Sequence, residues 1–501
     1  MAFACVFSRA LVGISAYLVT VEAHIANGLP ALSIVGLAET TVKESKDRVR
    51  SAIQNSQLEF PGGKRITVNL APADLPKASS RFDLPIAISI LAAQKFISAT
   101  ALESFEFIGE LGLAGDIKPV KGILPACLAS QAANRAIFIP ATNLAEASFA
   151  AGCKIYPVNH LLEIIGHLQE TRLIEPAITQ MPTFKIEETV TIDDVKGHES
   201  AKFALQIAAI GRHSLLMIGP PGSGKTLLAR ALASLLPEPN EQEKMQIATI
   251  HMLHHDVHHP LPTIPFRMPH HSASTVAIIG GGNPVCPGEI TLAHQGVLFL
   301  DELPEFNRKT LEALREPLEN HCVHIARANS RQTFPANFQL VAAMNPCPCG
   351  YYNAKYQQCR CHPTQIQRYL NRLSGPLLDR FDCIIEVVPI APAQLMLLTN
   401  VSPTAPMIRQ TVQNLQETQR QRQGCLNHRL TQRQAETICA LTPETKLFLH
   451  QIALKKSLSS RSILRVLRLA RTIADLNSQE TITKADLSAA LQLRSGSVYF
   501  Q

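Results

Sequence analysis

Apolar and polar positions along the chain fall into three differently patterned stretches. In residues 1–170, alternating runs such as Tyr17–Ala23 and Ile66–Leu70 predict strands, because side chains at period two line one face of a sheet. Leu84–Ala93 and Leu124–Ala133 are apolar for longer than a strand needs and predict helices. The stretch is therefore expected to be a mixed α+β domain. Residues 171–190 are rich in Pro, Thr and Glu without periodicity and predict a linker. Over residues 191–390 short buried strands alternate with helices, the order of a mostly parallel α/β sheet. Residues 391–494 carry a helical pattern throughout. The last seven residues, Ser495–Gln501, break it; they resemble a protease-site or cloning remnant and are set aside.

Chemistry enters at the end of one of these strands. Leu215–Ile218 runs into Gly219-Pro220-Pro221-Gly222-Ser223-Gly224-Lys225-Thr226, and Leu227–Leu232 then begins a helix. Strand, glycine-rich turn and helix start in that order make a phosphate cradle, with backbone N–H groups aimed at a triphosphate. Lys225 is expected on the outer phosphates of ATP and Thr226 on Mg²⁺. Gly296–Leu300 is a second buried strand, ending in Asp301 and Glu302. Asp301 is expected at the metal beside Thr226, and Glu302 as the base that activates water. An acidic helix cap after a core strand is the minor alternative, and the P-loop beside it disfavours that reading further. A third apolar strand, Leu340–Met344, delivers Asn345 to the same end, where an amide can hold the attacking water. An Asn-Pro turn is the bland alternative.

Three arginine features follow. Arg380 sits in Leu377-Leu378-Asp379-Arg380-Phe381-Asp382, placed to project as an arginine finger or to pair with its flanking acids. Arg372 is a weaker candidate for the finger. Arg461, Arg465, Arg468 and Arg471 share one face of a predicted helix. Arg461 is assigned to bound nucleotide, and the later three to phosphate or a neighbouring subunit, against the alternative of a solvated face.

Cys347-Pro-Cys349 and Cys359-Arg-Cys361 place four thiols within one short segment (347–361). Soft thiolates in such paired elements favour structural Zn²⁺. His362 is a possible substitute ligand, and four reduced core cysteines are the alternative. The histidines His251, His254, His255, His258, His259, His270 and His271 show no ligand spacing and read as a substrate-facing insertion. Val323–Arg331 reads as a β-hairpin with Arg327 and Arg331 near its tip; with Arg267 they are candidate DNA phosphate contacts.

Bulk properties narrow the class. The chain has 501 residues, 46% hydrophobic and 17% charged, an ordinary core-forming composition with room for about three domains. No run approaches the ~20 apolar residues of a membrane helix, and no signal-peptide pattern opens the chain, so a cytoplasmic protein without a membrane partner is expected. A net charge of +7 is compatible with polyanion binding. Trp is absent and aromatics make up 5%, which disfavours base stacking as the main nucleic-acid contact.

Taken together with Pro265–Ser274, Gly280–Gly282, Pro287–His294, Gly296–Phe306, Asn345–Gly350 and Ala470–Asp475, these motifs resemble the magnesium-chelatase-like AAA+ ATPases of the ComM competence-protein type. The resemblance covers nearly all of residues 1–495. It implies that Asn345 is sensor 1, Arg380 the finger acting in trans and Arg461 sensor 2, in a homo-hexameric ring. Such rings are closed by repeated head-to-tail contacts. Residues 72–93 and 107–111 resemble the Lon-protease fold. The position matching its nucleophile lies near Arg81, and 122–126 supplies no matching Lys, so a scaffold without protease chemistry is expected. Lys77 with Ser79 or Ser80 is the residual alternative. The work implied by the resemblance is ATP-driven DNA translocation and branch migration on single-stranded and branched DNA during natural transformation. A chelatase motor that drives a metallation reaction is the alternative.

Overall fold

The computed structural model describes residues 2–36, 39–75, 77, 80–179, 190–254, 263–282, 285–327, 330–353, 357–390, 404–456 and 458–500. They form two compact units. The first draws on residues 1–184, 245–261 and 324–334, and the second on 185–244, 262–323 and 335–501.

The first unit is built on a seven-stranded mixed sheet. Its strands are β1 (Ala2–Val12), β2 (Ser15–Ala26), β3 (Ala31–Val35), β4 (Arg65–Ala71), β5 (Phe105–Phe107), β6 (Ala136–Pro140) and β7 (Ile155–Val158), in the order β3-β4-β2-β1-β5-β6-β7. β1 and β2 pair antiparallel along their whole length. β5, β6 and β7 run parallel, as their helical connections require. Alternation in β2 buries Val19, Val21, Ala23 and Ile25. Helix Asp83–Ala93 is buried on every side, which explains its continuous apolar pattern. On another face, helix Ile123–Ala132 packs with β6 and β7 around Ile137, Ile139 and Ile155, and Ala248 and Met252 complete that core. These last two lie one helical turn apart on Glu241–His254. The segment expected as a substrate-facing insertion thus begins with a helix that closes a core of the first unit.

The second unit centres on a five-stranded parallel sheet: β8 (Leu215–Ile218), β9 (Phe266–Arg267), β10 (Val297–Leu300), β11 (Gln339–Met344) and β12 (Cys383–Glu386), ordered β9-β10-β11-β8-β12. All registers are parallel. β8, β10 and β11 are buried at every residue, so helices cover both faces. The C-terminal helices Ala405–Gln423, Pro443–Lys455, Ser460–Leu476 and Lys484–Gln492 share one continuous core with this sheet through Val412, Val466, Leu469, Ala470 and Leu487. Ser495–Phe500, set aside on sequence grounds, forms a 3₁₀ helix in which Tyr499 donates a 2.8 Å hydrogen bond to Glu386 at the end of β12. The cross-strand hairpin Cys322–Arg327/Ser330–Pro335 forms where the sequence places it. No helix among the described residues is long and apolar enough to cross a membrane.

Candidate active site

The three strand tips named from sequence meet. β8, β10 and β11 are sheet neighbours, so the turns after them open at one edge. Ligand sites of open parallel sheets form at these carboxyl ends. The P-loop helix Lys225–Leu235 starts at Gly224, whose φ of +82° suits glycine. Lys225 Nζ donates to the Gly219 and Pro220 carbonyls at 2.8 and 2.9 Å and to Asn345 Oδ1 at 3.1 Å. Burial depresses its pKa, and Asp301 and Glu302 oppose the shift. Thr226 Oγ1 donates to Asp301 Oδ2 at 3.0 Å.

The residues fit a Mg²⁺–triphosphate ligand. Thr226 and Asp301, already in contact, are a hydroxyl and a carboxylate that a hard cation takes. Ser223 Oγ, 2% exposed, has no hydrogen-bond partner among the described residues and sits in the phosphate turn. Pro220, Pro221 and Gly222 complete that turn. When bound, the ion would neutralise phosphate charge. Glu302 lies just past Asp301 with φ +52° and ψ +47°, an uncommon conformation for a non-glycine residue and one found at functional turns.

Glu302 has a partner that the sequence reading missed. His271 Nδ1 stands 3.2 Å from its Oε2, and the His271 ring is edge-on to Phe306. The only sequence signal was the repeated His in Pro269-His270-His271. Of the other histidines, His255, His258 and His259 lie outside the described residues.

The four cysteines converge. Sγ–Sγ separations are 3.3 Å for Cys347–Cys349, 3.7 Å for Cys347–Cys359 and 3.5 Å for Cys349–Cys359, and all four sulfurs lie within 4.8 Å of one another. A tetrahedron with ~2.3 Å zinc–sulfur bonds has edges of about 3.8 Å, so the donor set suits that ion. Burial opposes ionisation of Cys349, but backbone N–H groups of Arg360 and Tyr351 draw its pKa down to about 6, toward the ligating thiolate. His362 instead bonds Thr364 at 2.9 Å. Gly350, with φ +87°, lies so close to Pro221 that a Cβ would fall 2.5 Å from its ring. The cysteine cluster therefore rests directly on the P-loop.

The arginines separate. Arg380 pairs with Glu319, and its buried Nε has no partner among the described residues. Arg461 is exposed in the first turn of helix Ser460–Leu476. The readings of Arg465, Arg468 and Arg471 as free phosphate or neighbour contacts are corrected. Arg465 pairs with Asp379 at 3.3 Å, Arg468 donates to the Leu430 carbonyl at 2.9 Å, and Arg471 pairs with Asp475 at 3.0 Å. Buried cations need such partners; for Arg465 and Arg468 other segments supply them, and for Arg471 an acid one turn on in the same helix does. Arg267 is held by two bonds to Glu289, at 2.6 and 2.7 Å, which occupy its fork. Side chains of Arg327 and Arg331 lie outside the described residues. In the first unit, Arg81 is buried and donates to backbone carbonyls, including Arg9 at 3.4 Å. Lys77 is bonded to the Pro72 and Leu75 carbonyls, and Ser80 to Glu110. Ser79 lies outside the described residues.

Residues 191–396 match the family described as magnesium chelatase, subunit ChlI; residues 21–143 match the ChlI subunit of Mg-chelatase, and 403–494 its C-terminal region. The chain is 46% identical to competence protein ComM of Haemophilus influenzae, over 99% of this chain and 98% of that one. It is 44% identical to YifB of Escherichia coli, over 99% and 97%. With Rv2897c of Mycobacterium tuberculosis the identity is 37% over 99% of both chains.

The chain belongs to the ComM-type, magnesium-chelatase-like family. This is a family of AAA+ ATPases, and the P-loop, Asp301-Glu302 and Asn345 converge as ATP hydrolysis with Mg²⁺ requires.

Proposed function

We propose that the protein is a hexameric, ATP-dependent DNA translocase that promotes branch migration as incoming DNA is integrated in natural transformation. The observation that carries the motor part is the contact set Thr226–Asp301 and Lys225–Asn345, which joins three strand tips at one phosphate site. The DNA part is supported by similarity to a competence protein over nearly the whole chain. In this reading Glu302 takes the proton from water and Asn345 orients it. Arg380 leaves Glu319 to reach the γ-phosphate of the adjacent subunit, and Arg461 touches nucleotide from the helical lid. Cys347, Cys349, Cys359 and Cys361 hold a structural zinc ion that stiffens the loop against Pro221. The hairpin bearing Arg327 and Arg331 faces the strand.

The first unit acts as a Lon-like scaffold without a Ser–Lys pair, because Lys77 and Ser80 are each bound elsewhere. The protein works in the cytoplasm. Its ATPase rate, measured with and without single-stranded DNA at stated salt, is expected to rise with DNA. An unchanged rate together with no DNA binding overturns the reading. The chelatase alternative would instead need partner subunits to support porphyrin metallation.

A further inference from the structure

Arg267 is occupied by Glu289, so the second unit needs another basic surface if it is to hold a polynucleotide. An open cleft of about 860 Å³ has the required chemistry. One wall is the turn that follows Asp301-Glu302, from Glu305 to Arg308. The other is a face of helix Pro363–Leu370 and the turn after it, with Gln367, Arg368, Asn371 and Arg372. Residues 364, 367, 368 and 371 recur at helical spacing, so they project along one side. That helix begins two residues after Cys361.

The charge in the cleft is not balanced. Its one acid among the described residues, Glu305, is used by Arg372 at 2.6 Å. Arg308 and Arg368 are exposed and form no salt bridge among the described residues. Two unpaired guanidinium groups in one cleft favour an anion, and guanidinium forks match phosphate oxygens. Gln367 and Asn371 add neutral amide donors. The only aromatic residue among the described residues of the lining, Phe306, is 4% exposed, so these residues offer no ring face to a base. That argues for contacts to the backbone with bases turned outward, which are sequence-independent, and against a second site for a free nucleotide.

We propose that this cleft binds the phosphodiester backbone of a single nucleic-acid strand through Arg308 and Arg368. The inference rests on the motor reading above and names where that motor holds its track. It also provides a route to the chemistry. Phe306 of the cleft wall is edge-on to His271 at 6.5 Å between centroids, and His271 contacts Glu302 at 3.2 Å. A strand that moves this wall shifts the contacts of the residue that activates water.

The test uses the full chain with R308E/R368E and the milder R308Q/R368Q. Binding of a fluorescein-labelled oligothymidine is followed by anisotropy across a salt series, alongside ATPase rates with and without the oligonucleotide. Each phosphate contact to a single strand contributes about −0.7 to the slope of log K against log salt, so losing two should flatten it by about 1.4. Stimulation by DNA is expected to fall, while the DNA-free rate stays at the wild-type value. A wild-type slope and affinity in both variants overturns the cleft and leaves the motor reading standing. Failure of the wild-type protein itself to bind overturns both. Normal DNA binding with lost self-assembly would make the cleft a subunit contact and also overturns the proposal.

Discussion

Lys225 is held by two P-loop carbonyls and by Asn345, so its charge is already positioned before any phosphate arrives. Replacing it with Ala should abolish ATP binding or turnover, as read by nucleotide binding and phosphate release. Glu302→Gln keeps the shape of the side chain and removes the base. It should retain ATP while hydrolysis falls about 10²–10⁴-fold, which single-turnover measurements would report. Arg380 is tied to Glu319 in this chain, so the proposed finger role requires that pair to open. Arg380→Ala should cut hydrolysis in the assembled protein by about 10³–10⁵-fold, the range of trans-acting arginines. A normal rate in the assembled variant would dismiss the finger.

Between elements, two features tie neighbouring segments of the second unit together. The loop after β11 holds the cysteine cluster against Pro221 through Gly350. Purified protein should contain one zinc per chain by elemental analysis, and Cys359→Ser should lose it; a metal-free wild-type protein would remove the zinc assignment. The second feature is His294, buried just before β10, whose Nδ1 accepts the Asn337 N–H at 3.0 Å. Burial, aided by Arg212 and Arg429, pushes its pKa down to about 3. In the unfolded chain an imidazole titrates near ~6.5 and takes its proton first. The stabilisation is therefore complete above about pH 6.5 and is lost as pH falls toward 3, by about 2 kcal/mol at pH 5. Denaturant midpoints should drop between pH 7 and pH 5, and the drop should be smaller in His294→Gln.

For the molecule as a whole, the proposed ring is what would bring Arg380 of one chain to the nucleotide of the next. Size measurements with nucleotide and oligonucleotide together should give a species several times the mass of the 54.7 kDa chain. A persistent monomer would contradict the ring. The division into units does not follow the simple order of the sequence. Residues 245–254 and 324–334 belong with the N-terminal sheet, although they leave the ATPase part of the chain and return to it. Ala248 and Met252 explain the first case, because they fill a core whose other residues lie in 108–155.

The phosphate turn, the acid pair and the asparagine were legible from the residues because each is local: an apolar strand ends and a polar residue follows at once. The parallel sheet was legible for the same reason, since strands buried on both faces leave uninterrupted apolar runs. The arginines were not. Only the Arg471–Asp475 pair, one turn apart in the same helix, could be read along the chain; Arg461, Arg465 and Arg468 look alike on a helix wheel, yet one is exposed and two are spent on Asp379 and Leu430 of other segments. The same holds for His271 on Glu302 and Glu289 on Arg267, contacts between residues 31 and 22 positions apart. A charge is chemically available only when nothing nearby neutralises it, and what lies nearby is decided by packing rather than by order along the chain.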